Sequence, residues 1–257
     1  MEKGICRHSI IPVRAEPDHR SEMVSQLLFG EHYTIVDISK NGEWLQIETY
    51  YDLYKGWLAR NQHTLISDDY FDQINHSDYK ICTDISSTIL FGRLPLTILI
   101  GSIIPIADNE LFKMEEKLAF TGNSKSLSQK RDTDFIKSVA VKYINVPYLW
   151  GGKSPFGIDC SGFTQMVFKI AGFKLPRDSS QQIKLGKQVS FEEIKCGDLV
   201  FTHNKEDKID HVGIVLDSNT VIHSSGKVRV DEIRKEGIYN EKSNSLTHFN
   251  PLFQRVL

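Results

Sequence analysis

The first sixty residues break into five short β-rich runs, 9–14, 25–28, 32–37, 44–49 and 56–58, each closed off by a turn signal. Val, Ile, Tyr, Trp and Thr suit a pleated, half-buried surface, and Pro, Gly, Asn and Asp interrupt it. The interruptions fall at Glu16-Pro17-Asp18, Phe29-Gly30, Asn41-Gly42 and Tyr51-Asp52. Asn41-Gly42 between two apolar runs is the strongest hairpin signal, because both residues tolerate positive φ. Strands this short and this closely spaced predict a small β-barrel.

A diverged second copy follows, with runs at 79–82, 89–91, 97–100, 103–106 and 118–120. Residues 121–130, rich in Gly, Asn, Ser and Lys, read as a linker. Beyond them the periodicity becomes helical. Asp132-Thr133-Asp134 caps a run with Phe135, Val139, Val141 and Ile144 that stops before Pro147. A second helix starts near Cys160, carries Phe163, Val167, Phe168 and Ile170, and ends at Gly172. Strands at 199–201, 212–216 and 220–223 come next. Helices followed by an antiparallel sheet make an α+β catalytic-size unit behind two small barrels, with expected bounds 1–64, 65–124 and 125–257.

The bulk chemistry excludes several classes of function. A formal charge of −2 over 257 residues gives no basic face for nucleic acid or an anionic membrane. Cys6, Cys82, Cys160 and Cys196 lack CxxC spacing, so neither a thiolate zinc site nor a disulfide framework is expected. The histidines lack HExxH spacing, which disfavours a metallopeptidase, and no metal or cofactor is expected. The longest apolar stretch, 94–106, is broken by Pro95, Gly101 and Pro105 and is too short to cross a bilayer. The start, Met1-Glu2-Lys3-Gly4, does not read as a secretory signal, so the expected location is the cytoplasm.

The chemistry converges on the segment from Tyr148 to Phe163. A loop containing Gly, Ser and Pro delivers Cys160 to the start of an apolar helix. Unpaired N–H groups there favour a thiolate, so the Cys160 pKa is expected below its ordinary value. The same groups can hold the oxyanion formed when a thiolate attacks a carbonyl. A base is available in His211, which opens one apolar strand, while His223 closes the next. A three-residue loop at Asp217-Ser218-Asn219 sets His223 opposite Gly213 and puts His211 diagonal to His223 on the same face. A loop of even length would send the rings to opposite faces. On one face, His223 can fix the tautomer with which His211 takes the thiol proton.

The array Tyr148…Trp150-Gly151-Gly152…Asp159-Cys160-Ser161-Gly162…Pro176-Arg177…Gly197-Asp198-Leu199-Val200-Phe201…His211-Val212-Gly213-Ile214…Ile222-His223 resembles the NlpC-type cell-wall peptidases. These are papain-like cysteine enzymes, and the likeness covers roughly the last half of the chain. The front half is similar to the tandem bacterial SH3-like domains of one branch, the γ-D-glutamyl-L-diamino acid endopeptidases. Residues 20–24, 27–31 and Tyr54-Lys55-Gly56-Trp57 carry that likeness, which fades over 66–120. The resemblance implies a Cys160, His211 and His223 triad. It also implies hydrolysis of the γ-D-Glu to diamino-acid bond in murein tri- and tetrapeptides with a free N-terminal L-Ala, by a monomer engaged in peptidoglycan recycling. In that reading Asp159 and Glu22 bind the substrate ammonium, and Ser161, Tyr54 and Tyr148 complete the pocket, Tyr148 also being placed to serve an oxyanion.

Other residues read as structural. Residues 177–182 look like a helix start, His203 lies in a polar loop, and Cys6, Cys82 and Cys196 look like inert packing. Trp44, Trp57 and Trp150 read as core or wall. Two alternatives compete with the peptidase: an anchor that binds peptidoglycan through its barrels, and acyl or amide transfer by the same Cys-His pair.

Overall fold

The computed structural model describes residues 1–92, 94–107, 112–113 and 118–257, with two compact units. The first is Met1–Lys130 with Gly151–Pro155 and Gly172–Lys174; the second is Arg131–Trp150, Phe156–Ala171 and Leu175–Leu257. Residues 93, 108–111 and 114–117, inside the expected second barrel, lie outside the described residues.

In the first unit an antiparallel barrel sheet runs in the order Met23–Leu28, Ile10–Arg14, Lys55–Ala59, Trp44–Thr49, His32–Ile38, Lys3–Ile5, Thr64–Ile66. The five expected strands are all present. Burial alternates residue by residue along Ile10–Arg14 and through most of Trp44–Thr49, as a sheet with one wet face requires. The inward side chains Ile11, Val13, Leu27, Tyr33, Ile35, Leu45, Ile47 and Leu58 meet around Cys6. Two three-residue strands, Lys3–Ile5 and Thr64–Ile66, were not foreseen; they pair with each other and extend the sheet edge. Of Asn41-Gly42, only Gly42 adopts positive φ (+72°), so the connection is a wider turn than a two-residue hairpin.

A helix at Asp68–His76 also went unforeseen, although Ser67 and the acids Asp68 and Asp69 mark its start; the Ser67 hydroxyl accepts from the Tyr70 N–H. After it, Tyr79–Cys82, Ser86–Phe91, Leu94–Leu99, Ile103–Ala107 and Leu118–Thr121 form two further small sheets over a core of Phe29, Cys82, Ile89, Ile98, Ile104 and Leu118. The expected linker at 121–130 is corrected in part. Ser124–Ser126 is a strand paired with Tyr79–Cys82, and Asp78 fastens it by accepting from the Ser126 hydroxyl and from the Ser128 N–H at 3.0 Å. Small polar residues there reflect an edge strand held by side-chain hydrogen bonds.

The second unit sets helices against a seven-stranded antiparallel sheet, the α+β arrangement expected. Its order is Lys187–Val189, Ser245–Arg255, Leu199–His203, Ile209–Val215, Thr220–Ser225, Lys227–Arg234, Gly237–Asn240, and the last strand pairs back onto Ser245–Arg255. The helices are Thr133–Val141, Cys160–Ile170 and the short Ser179–Gln182. Every residue of Cys160–Ile170 is buried, the condition of a helix enclosed on all sides. Asp159 caps its start, and Gly172, at φ +88°, stands just past its end. Val200, Val215, Val221, Ile233, Ile238 and Phe253 form a core of the sheet.

Candidate active site

Cys160 is the first residue of the enclosed helix because Asp159 fixes that terminus. The Asp159 carboxylate accepts the Gly162 N–H at 2.6 Å. Arg177, itself buried, grips the same carboxylate at 3.0 and 2.5 Å and donates to the Ser161 hydroxyl at 3.0 Å. Gln182 closes the bracket by donating to the carbonyls of Ser161 and Pro176. Residues 177–182 are thus the brace of the nucleophile's helix, in keeping with their structural reading.

The Cys160 sulfur lies against the main chain on both sides of His211. It is 3.9 Å from the Asp210 carbonyl oxygen, and the Val212 N–H donates toward it. Across the sheet, Gly213 faces His223 in the register set by the three-residue loop 217–219. His211 Nε2 and His223 Nδ1 are 2.7 Å apart, as one shared face requires, and His223 is fully buried.

The hydrogen-bonded chain continues to a residue not singled out from sequence. His223 Nε2 lies 3.0 Å from Asp231 Oδ2, and Asp231 also accepts Arg229 Nε at 2.9 Å and Asn240 Nδ2 at 2.7 Å. Cross-strand pairing explains the placement: Asp231 lies opposite Val221 and is two residues from Arg229, which faces His223. The signal was present in the alternation of the 227–234 strand, which had not been assigned. His248, from the Ser245–Arg255 strand, stacks on His211 with ring centroids 4.0 Å apart, and Thr247 Oγ1 lies 2.9 Å from its Nδ1.

Burial decides the electrostatics. It pushes the Cys160 thiol up to about 12, the neighbouring Asp159 carboxylate adding to the effect against the Val212 N–H, Arg177 and the Ser161 N–H. Burial likewise holds His211 well below the ordinary histidine range, with His223 and His248 reinforcing it. The expected low thiol pKa is therefore corrected: loss of water around the sulfur outweighs the helix terminus. The resting pair is a neutral thiol and a neutral imidazole. Proton transfer between them would make two opposite charges at once, each offsetting the other's desolvation.

Tyr148 is half-buried in a main-chain bridge to Ile158, and its N–H donates to the Gly226 carbonyl at 3.0 Å. Burial, followed by the charges of Cys160 and Asp159, raises its phenol to about 12, so it remains a hydroxyl donor. Ser161 is buried beside Asp159. Glu22 and Tyr54 belong to the first unit. Glu22 is exposed in the turn before Met23–Leu28, and Tyr54 precedes Lys55–Ala59 with its N–H bonded to Thr49 Oγ1. Cys6 and Cys82 pack in cores as expected; Trp44 is buried, while Trp150 is 61% exposed. His203 is the last residue of a strand, its Nδ1 3.1 Å from the Asn250 carbonyl.

His211, His223 and His248 offer ring nitrogens within 4.8 Å of one another. An ion seated among them would have to break the 2.7 Å bond between the first two. A cysteine at a helix start with a histidine pair on the facing sheet is instead equipped for nucleophilic acyl transfer.

Comparison with known proteins agrees. The NlpC/P60 family matches residues 145–246, and the bacterial dipeptidyl-peptidase Sh3 domain matches residues 13–62. The gamma-D-glutamyl-L-lysine dipeptidyl-peptidase of Bacillus subtilis (strain 168) is 29% identical over 241 residues, covering 86% of this chain and 74% of that protein. Dipeptidyl-peptidase 6 of Lysinibacillus sphaericus is 27% identical over 272 residues, covering 95% and 91%. The crystal structure of an NlpC/P60 family protein from Bacillus cereus ATCC 10987 superposes with a TM-score of 0.82 over 99% of both chains; at 19% identity it shows the shared fold. The chain thus carries an NlpC/P60 domain over residues 145–246, the domain of a family of cysteine peptidases, behind a bacterial dipeptidyl-peptidase Sh3 domain over residues 13–62.

Proposed function

We propose that the protein is an endopeptidase for the γ-D-Glu to diamino-acid bond of cell-wall stem peptides that begin with a free L-Ala. The observation that carries this reading is the pairing of domains. Relatives similar along most of the chain, barrels included, are dipeptidyl-peptidases, and one is named for the γ-D-glutamyl-L-lysine bond.

The chemistry follows from the site. His211 takes the Cys160 proton, the thiolate attacks the γ-carbonyl carbon, and N–H groups at the helix start with the Tyr148 hydroxyl face the oxyanion. Collapse breaks the C–N bond; the imidazolium gives its proton to the departing amine, leaving a thioester that water hydrolyses. The resemblance to the γ-D-glutamyl-L-diamino acid endopeptidases assigns the L-Ala ammonium to Asp159 and Glu22, and further pocket roles to Ser161 and Tyr54. Arg177 already neutralises much of Asp159, which weakens the pull of that carboxylate on an ammonium.

Cys160→Ala should abolish release of the diamino acid from L-Ala-γ-D-Glu-diaminopimelate while the circular dichroism spectrum is retained. Cleavage at the wild-type rate would remove Cys160 from the mechanism. N-acetylating the peptide should lower kcat/KM by at least ten-fold, since the ammonium contact is lost; equal rates would remove Glu22 and Asp159 from the pocket. Within this proposal the first unit comprises two SH3-like barrels, 1–64 and 65–124, ahead of the catalytic domain at 125–257, and the protein works as a cytoplasmic monomer in peptidoglycan recycling. None of the four cysteines is in a disulfide, and no helix among the described residues is long and apolar enough to cross a membrane.

A further inference from the structure

The buried carboxylate at the far end of the histidine pair has no part in the triad, yet its bonding leaves little freedom to the rings. Arg229 Nε and Asn240 Nδ2 both point at Asp231, and a guanidinium N–H can only donate. Asp231 is therefore an ionised acceptor. Burial opposes the charge, but donors from His223, Arg229 and Asn240 prevail and hold it at about 2. An ionised carboxylate cannot donate to His223 Nε2 across 3.0 Å, so that nitrogen must carry the proton.

The rest follows in order. His223 is neutral, burial holding it below its ordinary value, and with Nε2 protonated its Nδ1 is an acceptor. The nitrogen 2.7 Å from that acceptor, His211 Nε2, must then be a donor. His211 is neutral as well, so its lone pair is confined to Nδ1. A ring with one open lone pair is what the buried thiol needs as a base. Stacking by His248 on one face of His211 holds the ring plane in place.

We propose that Asp231 is a positioning residue that sets the tautomer of both histidines, so that His211 always presents Nδ1 as the free base to Cys160. It acts through His223 and touches neither substrate nor sulfur. This rests on the Cys160–His211 pair and not on the identity of the peptide cleaved. The competing role is structural, an ion pair with Arg229 on the same strand and a bond from Asn240 on the next, and it makes no demand on the tautomers.

The groups facing the relay come from five strands: His211 from Ile209–Val215, His223 from Thr220–Ser225, Arg229 and Asp231 from Lys227–Arg234, the uncharged Asn240 from Gly237–Asn240, and His248 from Ser245–Arg255. The test uses the full chain with 15N-labelled histidine, at pH 7 and without substrate. The wild-type protein should show His223 and His211 each protonated at Nε2 and bare at Nδ1. In Asp231→Asn the amide can turn its NH2 toward His223 and accept the other tautomer, so protonation should move to Nδ1 in both rings. The same variant should lose about 10- to 100-fold in kcat with KM changed less than two-fold, by analogy with the loss when the hydrogen-bond partner of a metal-bound histidine is removed. Asp231→Glu, which keeps the acceptor charge, should recover at least part of that loss. A wild-type spectrum with Nδ1 protonated on either ring overturns the proposal, even if no variant folds. So does an Asp231→Asn protein that keeps wild-type tautomers and kcat. Because the spectra need no substrate, a wrong peptide assignment leaves this result standing.

Discussion

At the scale of single residues, the site works by burial rather than exposure. The sulfur and the imidazole proposed to serve catalysis, those of Cys160 and His211, belong to residues nearly closed to water, at 7% and 6% exposure. Each resists ionising alone, so the thiolate exists only when the proton has moved to His211. Alkylation of Cys160 by iodoacetamide should then follow the pair. In the wild-type protein its rate should level off well below pH 12. In His211→Ala, with no acceptor left, the rate should climb through the alkaline range toward the value of about 12 that burial imposes. Superimposable profiles would show that the ring does not take the proton.

At the scale of elements, the start of the Cys160–Ile170 helix is the part most sensitive to change. Asp159→Ala removes its cap and leaves Arg177, 2% exposed, as an uncompensated buried charge. Losing a cap costs about 1 kcal/mol and breaking a buried pair about 3–5 kcal/mol. Urea denaturation should register a loss within that combined range; a loss below about 1 kcal/mol would mean Arg177 finds water or another acceptor. The sequence disclosed this element readily, because Asp before a long apolar period is a strong local signal, and the spacing of His211 and His223 around a three-residue loop fixed their shared face. Asp231 stayed hidden because its role arises from His223 on the adjacent strand, and the alternation of charged and apolar residues in its own strand looks like any wet edge. The strand at Ser124–Ser126 was hidden too: Ser and Lys carry no β preference, and the pairing partner Tyr79–Cys82 lies far back in the chain.

At the scale of the molecule, the second unit carries a set of histidines kept neutral by burial. His211, His223 and His248 all sit below their ordinary value, His248 at about 4. The unfolded chain binds protons at these sites from about pH 6.5 downward, whereas the folded one resists, so stability is full above that pH and falls as acid increases. Asp231, held at about 2, acts in the same direction below pH 4 because unfolding lets it protonate. The urea midpoint should fall steadily from pH 7 to pH 4, and the triple change of these histidines to Gln should flatten that slope. An unchanged slope in the triple variant would place the acid sensitivity elsewhere. In the barrel unit, Gly30 stands at φ +83° with the Ile103 carbonyl oxygen only 1.9 Å from where a Cβ would sit, so Gly30→Ala should strain the backbone there.

The nucleophile begins a helix that is walled in along its whole length, and this has a consequence for the newborn enzyme. Sulfur and imidazole come from distant stretches of chain and meet only once strand and helix have closed on each other, so a chain in which that closure is incomplete lacks its nucleophile–base pair.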